Sequence, residues 1–330
     1  MLDKSNVCAP SRVGTFKHFN TCLTFPELRT LAIAYNKAVY MMAKKTNSSH
    51  HEHSDIIMKA IPLAKFKTFR ALYNALYERF KPVCGEQTDH CWIEQDIFKT
   101  NYENGLYRAM SGHFRPVMKT SWLRNRRELL DTFDILKVMK QYEEVFPDFA
   151  FCGVFPIDFM HQNANSGECV VGRICHFDLK NYLRRGIKHM GVVLNFDPHD
   201  QPGSHWVAVY ANVDDNDPRY GFFYYDSYGG NEPQEVRAFY EYIERQFRAL
   251  AMESAYSSYS HKPFTFQRNM DRHQYKDTEC GMFSMHFLVL VLENPKQTVC
   301  TTLRKHLKGP SDDLVNQFRD VFYRKPVKKT

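Results

Sequence analysis

Three separated stretches of the 330-residue chain hold the residue types that attack by a thiol would need. Ser204-His205-Trp206 opens one apolar run, and Tyr224-Tyr225-Asp226-Ser227 closes another. Gln274-Tyr-Lys-Asp-Thr-Glu-Cys280-Gly281 leads into an apolar segment from Met282 to Leu292. From Gly281 to Val291 only Ser284 and His286 are clearly polar, which predicts a buried helix with Cys280 in its first turn. The positive end of a helix dipole favours a thiolate there. Gly281, lacking a side chain, would let a substrate or a neighbouring strand approach closely. A free cysteine is more often structural than reactive, so Cys280 gains weight only from its partners.

His205 is such a partner. It stands at the head of a strand-like run, where an imidazole can face a cleft and relay a proton between thiol and leaving amine. Asp226 ends the next strand-like run, and an acid beside the imidazole would fix its tautomer. Taken singly, Asp226 reads as a turn former and His205 as a surface histidine. Simple hairpin geometry across Asp214-Asp-Asn-Asp-Pro218 need not bring the two ends together, and the sequence leaves that relation open. Gln274 precedes the cysteine by six residues, where its amide could donate to an oxyanion together with the Cys280 N–H. Asp277 competes with it as a local polar partner.

The elements that must position these residues follow from periodicity. Phe149–Pro156, Met190–Phe196, His205–Ala211, Tyr220–Tyr225 and Pro263–Asn269 are short and rich in β-formers. Asp131-Thr-Phe-Asp opens a capped helix with the stripe Ile135, Val138, Met139, Tyr142 and Phe146, stopped by Pro147. Pro233 opens another, with Val236, Phe239, Tyr240, Ile243, Phe247 and Leu250 on one face. Upstream, Thr24 and Glu27 make a capping box before Leu28, Leu31, Ala32, Tyr35, Val39 and Met42. Phe66 to Phe80 repeat the helical period, with Pro82 and Gly85 ending it. The chain length favours two domains: a helical one over 1–115, and an α+β one over 116–330.

Composition excludes some classes. Hydrophobic residues make up 43% and aromatics 15%, enough for packed cores. No apolar stretch is long enough to span a bilayer. Met1-Leu-Asp-Lys-Ser lacks a signal-peptide core, and the nine cysteines are odd in number, so free thiols in a reducing compartment are expected. Neither His50, His51 and His53 nor Cys84, His90 and Cys91 have a tight zinc spacing, and no metal or other cofactor is invoked. Arg115, Lys119, Arg124, Arg126 and Arg127 surround Trp122, and with the tail Arg324-Lys-Pro-Val-Lys-Lys and a net charge of +7 they allow an accessory DNA or acidic-peptide contact. A solvated connector is the plainer reading.

The pattern His-Trp, then Asp-Ser after a strand, then Gln-x5-Cys-Gly resembles the SUMO/ubiquitin-like-specific cysteine protease superfamily, of the adenovirus-protease type. Gly203-Ser-His-Trp-Val-Ala-Val, Tyr225-Asp-Ser-Tyr-Gly-Gly, His273-Gln-Tyr-Lys-Asp-Thr-Glu-Cys-Gly, Asp134-Ile-Leu-Lys-Val-Met-Lys-Gln-Tyr and Val154-Phe-Pro-Ile-Asp-Phe are similar to the polyprotein-processing proteases of large nucleocytoplasmic DNA viruses. The resemblance covers roughly residues 120–295, and 1–115 resembles their N-terminal arm domain more loosely. It implies a papain-like core: a central mixed sheet flanked by helices, with the cysteine at the N-terminus of a buried helix. It assigns Cys280 as nucleophile, His205 as base, Asp226 as its orienter and Gln274 as oxyanion donor. Trp206 and Gly281 would contact substrate. The tryptophan that covers the substrate's glycines in many relatives would be Trp122, displaced by an insertion, or be replaced by Leu129. The resemblance further implies cleavage after glycine (Gly-Gly-X or Gly-X-Gly) in viral polyprotein or capsid precursors, in the host cytoplasm and the virion.

Two other enzymes share the motif logic: a SUMO or ubiquitin-like deconjugating protease, and a cysteine-dependent acetyltransferase. The second would need a coenzyme A site, and no phosphate-cradling glycine loop is apparent. A non-catalytic binding module is disfavoured by the intact set of His, Asp, Gln and Cys.

Overall fold

The computed structural model describes residues 7–13, 21–45, 60–86, 89–99, 104–253 and 262–327. The polar loop around His50, His51 and His53 lies outside them. The chain divides into two compact units, Met1–Lys119 with Tyr323–Thr330, and Thr120–Phe322. Residues 323–327 pair back onto the first unit. There Met118 N–H donates to the Arg324 carbonyl and Arg324 N–H to the Pro116 carbonyl, both at 2.9 Å.

The first unit is helical. Phe25–Lys45 starts at the capping box, with Glu27 N–H on Thr24 Oγ1 at 3.3 Å and Thr24 N–H on Glu27 Oε2 at 2.7 Å. Its buried stripe, Leu28, Leu31, Ala32, Tyr35 and Val39, packs with Leu72, Leu76 and Phe80 of Phe69–Cys84. Met42 is exposed, and the stripe continues past Val39 through buried Ala43 instead. Pro82 does not end the second helix. It sits in the last turn, and Gly85, at φ +59°, closes the element.

The free-thiol expectation is overturned here. Cys8 is bonded to Cys22 and Cys84 to Cys91, and in the second unit Cys169 is bonded to Cys175. Local turns bring the Cα atoms to 5.3, 5.9 and 5.6 Å, within disulfide reach. Only Cys152, Cys280 and Cys300 remain as thiols among the described residues.

The second unit is built on a five-stranded mixed sheet, β1 (Phe149–Pro156), β2 (His189–Asn195), β3 (Trp206–Asn212), β4 (Gly221–Tyr225) and β5 (Phe266–Arg268), in that spatial order. β1/β2 and β4/β5 are parallel, while β2/β3 and β3/β4 are antiparallel. Every residue of β2, β3 and β4 is buried, because both faces are covered. Val192, Leu194, Val207, Val209, Phe222 and Tyr224 share one core with Val236, Phe239, Ile243, Phe247 and Leu250 of the Gln234–Ala251 helix. On the alternate face, Tyr225 stacks on Phe287 at 4.5 Å, and Phe223 meets the same ring tilted at 5.7 Å. Phe287 belongs to the Cys280–Glu293 helix, in which every residue from Cys280 to Leu292 is buried.

That helix is held at its C-terminal end as well. Arg219, itself clamped by Asp217, donates from Nη1 to the Val291 and Leu292 carbonyls at 3.2 and 3.4 Å. A cation there satisfies carbonyls that lack intrahelical partners. The Thr132–Val145 helix packs beside β1 and begins at a capping box between Asp131 and Asp134. The short helices Leu179–Arg184, Val299–His306, Asp312–Gln317 and Arg319–Phe322 had no strong sequence signal. Their stripes are shorter than two or three turns.

Candidate active site

The β3/β4 register settles the question left open by the hairpin. Ala208 faces Tyr225 in an antiparallel pair, so the start of β3 and the end of β4 lie at the same edge of the sheet. His205, just before β3, and Asp226, just after β4, meet there. His205 Nε2 lies 2.8 Å from Asp226 Oδ1, and the ring is also hydrogen-bonded to Cys280. With Nε2 on the acid, Nδ1 is the ring nitrogen left for the thiol. Burial disfavours the imidazolium, but the hydrogen bonds to Asp226 and Cys280 and their charges outweigh it, and the pKa is pushed up to about 9.

Asp226 is held more rigidly than one ion pair requires. Its Oδ1 also accepts the Tyr228 N–H at 2.9 Å, and Oδ2 accepts the Gly230 N–H at 3.1 Å. Burial would raise its pKa, yet the bonds to His205, Tyr228 and Gly230 hold it below the usual carboxylate range. Asn269 fixes the backbone: its Oδ1 accepts the Asp226 N–H at 2.9 Å, and its Nδ2 donates to the Asp226 carbonyl at 2.6 Å. Gly229, at φ +72°, has Met270 O 2.8 Å from where a Cβ would stand, so only glycine fits the turn.

Gln274 is fully buried. Its Oε1 accepts the Ser227 hydroxyl at 2.6 Å, which orients the amide. Nε2 donates to the Lys276 carbonyl at 2.6 Å and lies 3.3 Å from the Tyr228 hydroxyl. The preceding loop is pinned by buried Asp312, whose carboxylate accepts the Tyr275 and Lys276 N–H groups at 2.9 to 3.1 Å. Asp277 acts on the site through its charge, which is felt by the Tyr228 phenol.

Tyr228 is the residue that motif reasoning missed. Its ring stacks on His205 with centroids 4.7 Å apart. Burial together with the charges of Cys280 and Asp277 raises its pKa, so it stays a neutral phenol at the site. The signal was present as the aromatic inside Asp226-Ser-Tyr-Gly-Gly230.

The substrate-contact expectations divide. Trp206 lies at a groove of about 440 Å³ that includes Leu129, Leu130, Phe155, Gly203 and Ser204 in its lining, and its indole N–H donates to the Leu130 carbonyl at 3.1 Å. Gly281 is close to Trp206, but what approaches it is protein. A Cβ there would stand 3.1 Å from Leu130 Cβ and 3.2 Å from Trp206 Cδ1. Trp122 is not at the groove. It is 1% exposed, with the Arg319 guanidinium 4.5 Å from its ring centroid, so its amphipathic ring serves packing. The groove wall at that place is Leu129-Leu130.

The basic cluster is largely neutralised. Arg126 pairs with Asp320 at 2.9 Å, and Arg127 with Glu279 and Asp313 at 2.8 and 2.5 Å. Arg115, in the first unit, is buried. Among the described residues no helix is long and apolar enough to cross a membrane.

A buried helix that begins at a cysteine, an imidazole beside both thiol and acid, and a mixed sheet describe the site. Residues 184–314 match the Ulp1 protease family, C-terminal catalytic domain, a span that includes His205, Asp226, Gln274 and Cys280. That span carries the likeness to a Ulp1-type catalytic domain, and the chain is a cysteine peptidase. An Acanthamoeba polyphaga mimivirus protein named "Putative thiol protease" is 27% identical over 335 residues, 98% of this chain and 95% of that protein. The cysteine protease of African swine fever virus (a Tick/Malawi isolate) is 24% identical over 249 residues, 74% of this chain and 85% of its own. A crystal structure of the African swine fever virus protease shares the fold, with a TM-score of 0.58 at 16% identity over 99% of this chain and 98% of that one. The α+β class with an N-terminal helical region is that of this relative.

Proposed function

We propose that this viral-type cysteine peptidase is an endopeptidase that cuts structural or capsid polyprotein precursors after glycine. The observation that carries the mechanism is His205, bonded through Nε2 to Asp226 and interacting with Cys280 as well. The Cys280 sulfur, having given its proton to His205, attacks the scissile carbonyl carbon and forms a C–S bond. Negative charge gathers on the carbonyl oxygen, where the Cys280 N–H donates, joined by Gln274 Nε2 on releasing its weaker contact to Tyr228. The imidazolium then protonates the departing amine as the C–N bond breaks. Water, deprotonated by the now neutral His205, hydrolyses the thioester and frees Cys280. Asp226 holds the ring in the required tautomer throughout.

Glycine selectivity is supported by the bulky side chains of Leu129, Leu130 and Trp206 that line the groove. A viral substrate, with action in the host cytoplasm and the virion, is supported by the viral origin of the relatives. The test is a panel of Gly-Gly-X and Gly-X-Gly peptides beside a SUMO fusion, with wild type and Cys280→Ala. Peptide cleavage that disappears with the thiol supports the proposal. Cleavage of the fusion alone would replace it with deconjugation, the reading that the Ulp1 family match also favours. Acetylation of a lysine peptide without hydrolysis would overturn both.

A further inference from the structure

Phe155 lines the groove and also a second hollow of about 250 Å³, whose lining includes Cys152, Ile174, Phe177, Tyr182 and two arginines. We propose that this hollow is a second ligand site, for a phosphate group carried on a small aromatic body. The floor is apolar and aromatic, with Phe177 and Tyr182 stacked at 5.0 Å. The rim carries two guanidinium groups, Arg173 and Arg185, beside the His176 imidazole. Neither arginine has a carboxylate within ion-pair distance among the described residues, in contrast to Arg126, Arg127 and Arg219 of the same unit. Arg185 leans over the Tyr182 ring at 5.7 Å, which leaves its N–H groups for a ligand.

The rest of the lining does not oppose an anion strongly. Asp178 is the one acid there, and its Oδ1 is occupied in capping the Leu179–Arg184 helix through the Asn181 N–H at 3.2 Å. Burial pushes the Cys152 thiol up to about 11, so it is neutral, and it is hydrogen-bonded to Tyr182. The Cys169–Cys175 disulfide closes the turn that carries Arg173, and Gly172, at φ +57°, lets that turn lie against the Phe155 ring. Paired guanidinium groups suit the tetrahedral charge of a phosphate, and the aromatic floor suits a ring rather than water.

The test titrates phenyl phosphate and inorganic phosphate separately onto the full chain and reads heat or side-chain chemical shifts. Phenyl phosphate should bind saturably and roughly tenfold more tightly than inorganic phosphate, the difference reporting the floor. Arg173→Ala with Arg185→Ala should weaken it by about tenfold or more, with peptide cleavage and unfolding temperature unchanged. Arg184→Ala, an exposed neighbour outside the lining, should leave binding as it was. Equal binding of the two probes would overturn the aromatic body and leave a free-phosphate site. No saturable binding up to about 10 mM, or equal loss in Arg184→Ala, would overturn the site itself.

Discussion

Arg127 Nη1 lies 2.8 Å from Glu279 Oε1, and Glu279 is the fully buried residue immediately before Cys280. The same carboxylate accepts Asn316 Nδ2 at 3.2 Å and the Thr278 hydroxyl at 3.1 Å. Through its other nitrogen Arg127 reaches Asp313, which also pairs with Lys276 of the Gln274 loop at 3.0 Å. A residue read from sequence as part of a basic connector therefore ties down both ends of the Gln-x5-Cys segment.

Arg127→Ala should destabilise the fold by about 2 kcal/mol, because it strips a charged partner from a buried carboxylate. Denaturant unfolding measures this. Adding Glu279→Gln should recover part of the loss, since no uncompensated charge then stays buried. A double variant less stable than Arg127→Ala would contradict the pairing.

The pH dependence follows from His205. Its folded pKa, about 9, lies above the ordinary 6.5, so the stability it contributes is complete below about 6.5 and is lost as pH rises through 9. Asp226 is shifted downward, so its contribution is present above the ordinary 3.8 and is lost as pH falls through its lower folded value. Peptide cleavage should decline on the alkaline side near 9, where the imidazolium loses its proton. Titration of the His205 ring by NMR should show its pKa fall in Cys280→Ala, which removes one of the two groups that raise it.

Asp226→Asn should lower kcat by on the order of 10²- to 10⁴-fold, with little change in KM, because the amide no longer enforces the tautomer. Asn269→Ala, one step removed, should cost far less, roughly tenfold in kcat. Single-turnover cleavage of one peptide by both variants makes the comparison. Similar losses in the two would mean that Asp226 acts mainly through the fold of its turn.

Gly281→Ala should impair cleavage by forcing Leu130 and Trp206 apart, and Leu130→Ala in the same chain should restore part of it. Trp122→Ala should instead cost about 3 to 5 kcal/mol of stability and leave the preference among Gly-X-Gly peptides untouched. A changed peptide preference in Trp122→Ala would return that residue to the groove.

Tyr228→Phe should retain most activity if ring stacking on His205 is what matters, while Tyr228→Ala should lower kcat by roughly tenfold or more. The kcat of each variant with one peptide checks this. Equal losses would assign the effect to the hydroxyl near Gln274.

Local chemistry made much of this protein legible without coordinates. The run after Cys280 is apolar on all sides, which only a buried helix satisfies, and β2, β3 and β4 read as strands because both of their faces are covered. The capping boxes at Thr24 and Asp131 set helix starts through short-range hydrogen bonds. What the sequence left open depended on register and long-range contact. Whether His205 and Asp226 meet is decided by the antiparallel pairing of Ala208 with Tyr225, and the place of Tyr228 follows from the same register. The fate of Trp122 rested on Arg319, 197 positions away, and that of Arg127 on Glu279. The disulfides likewise required Cα separations that composition does not contain. Side-chain type and spacing determine which elements form, whereas partners distant in sequence are chosen by how those elements pack.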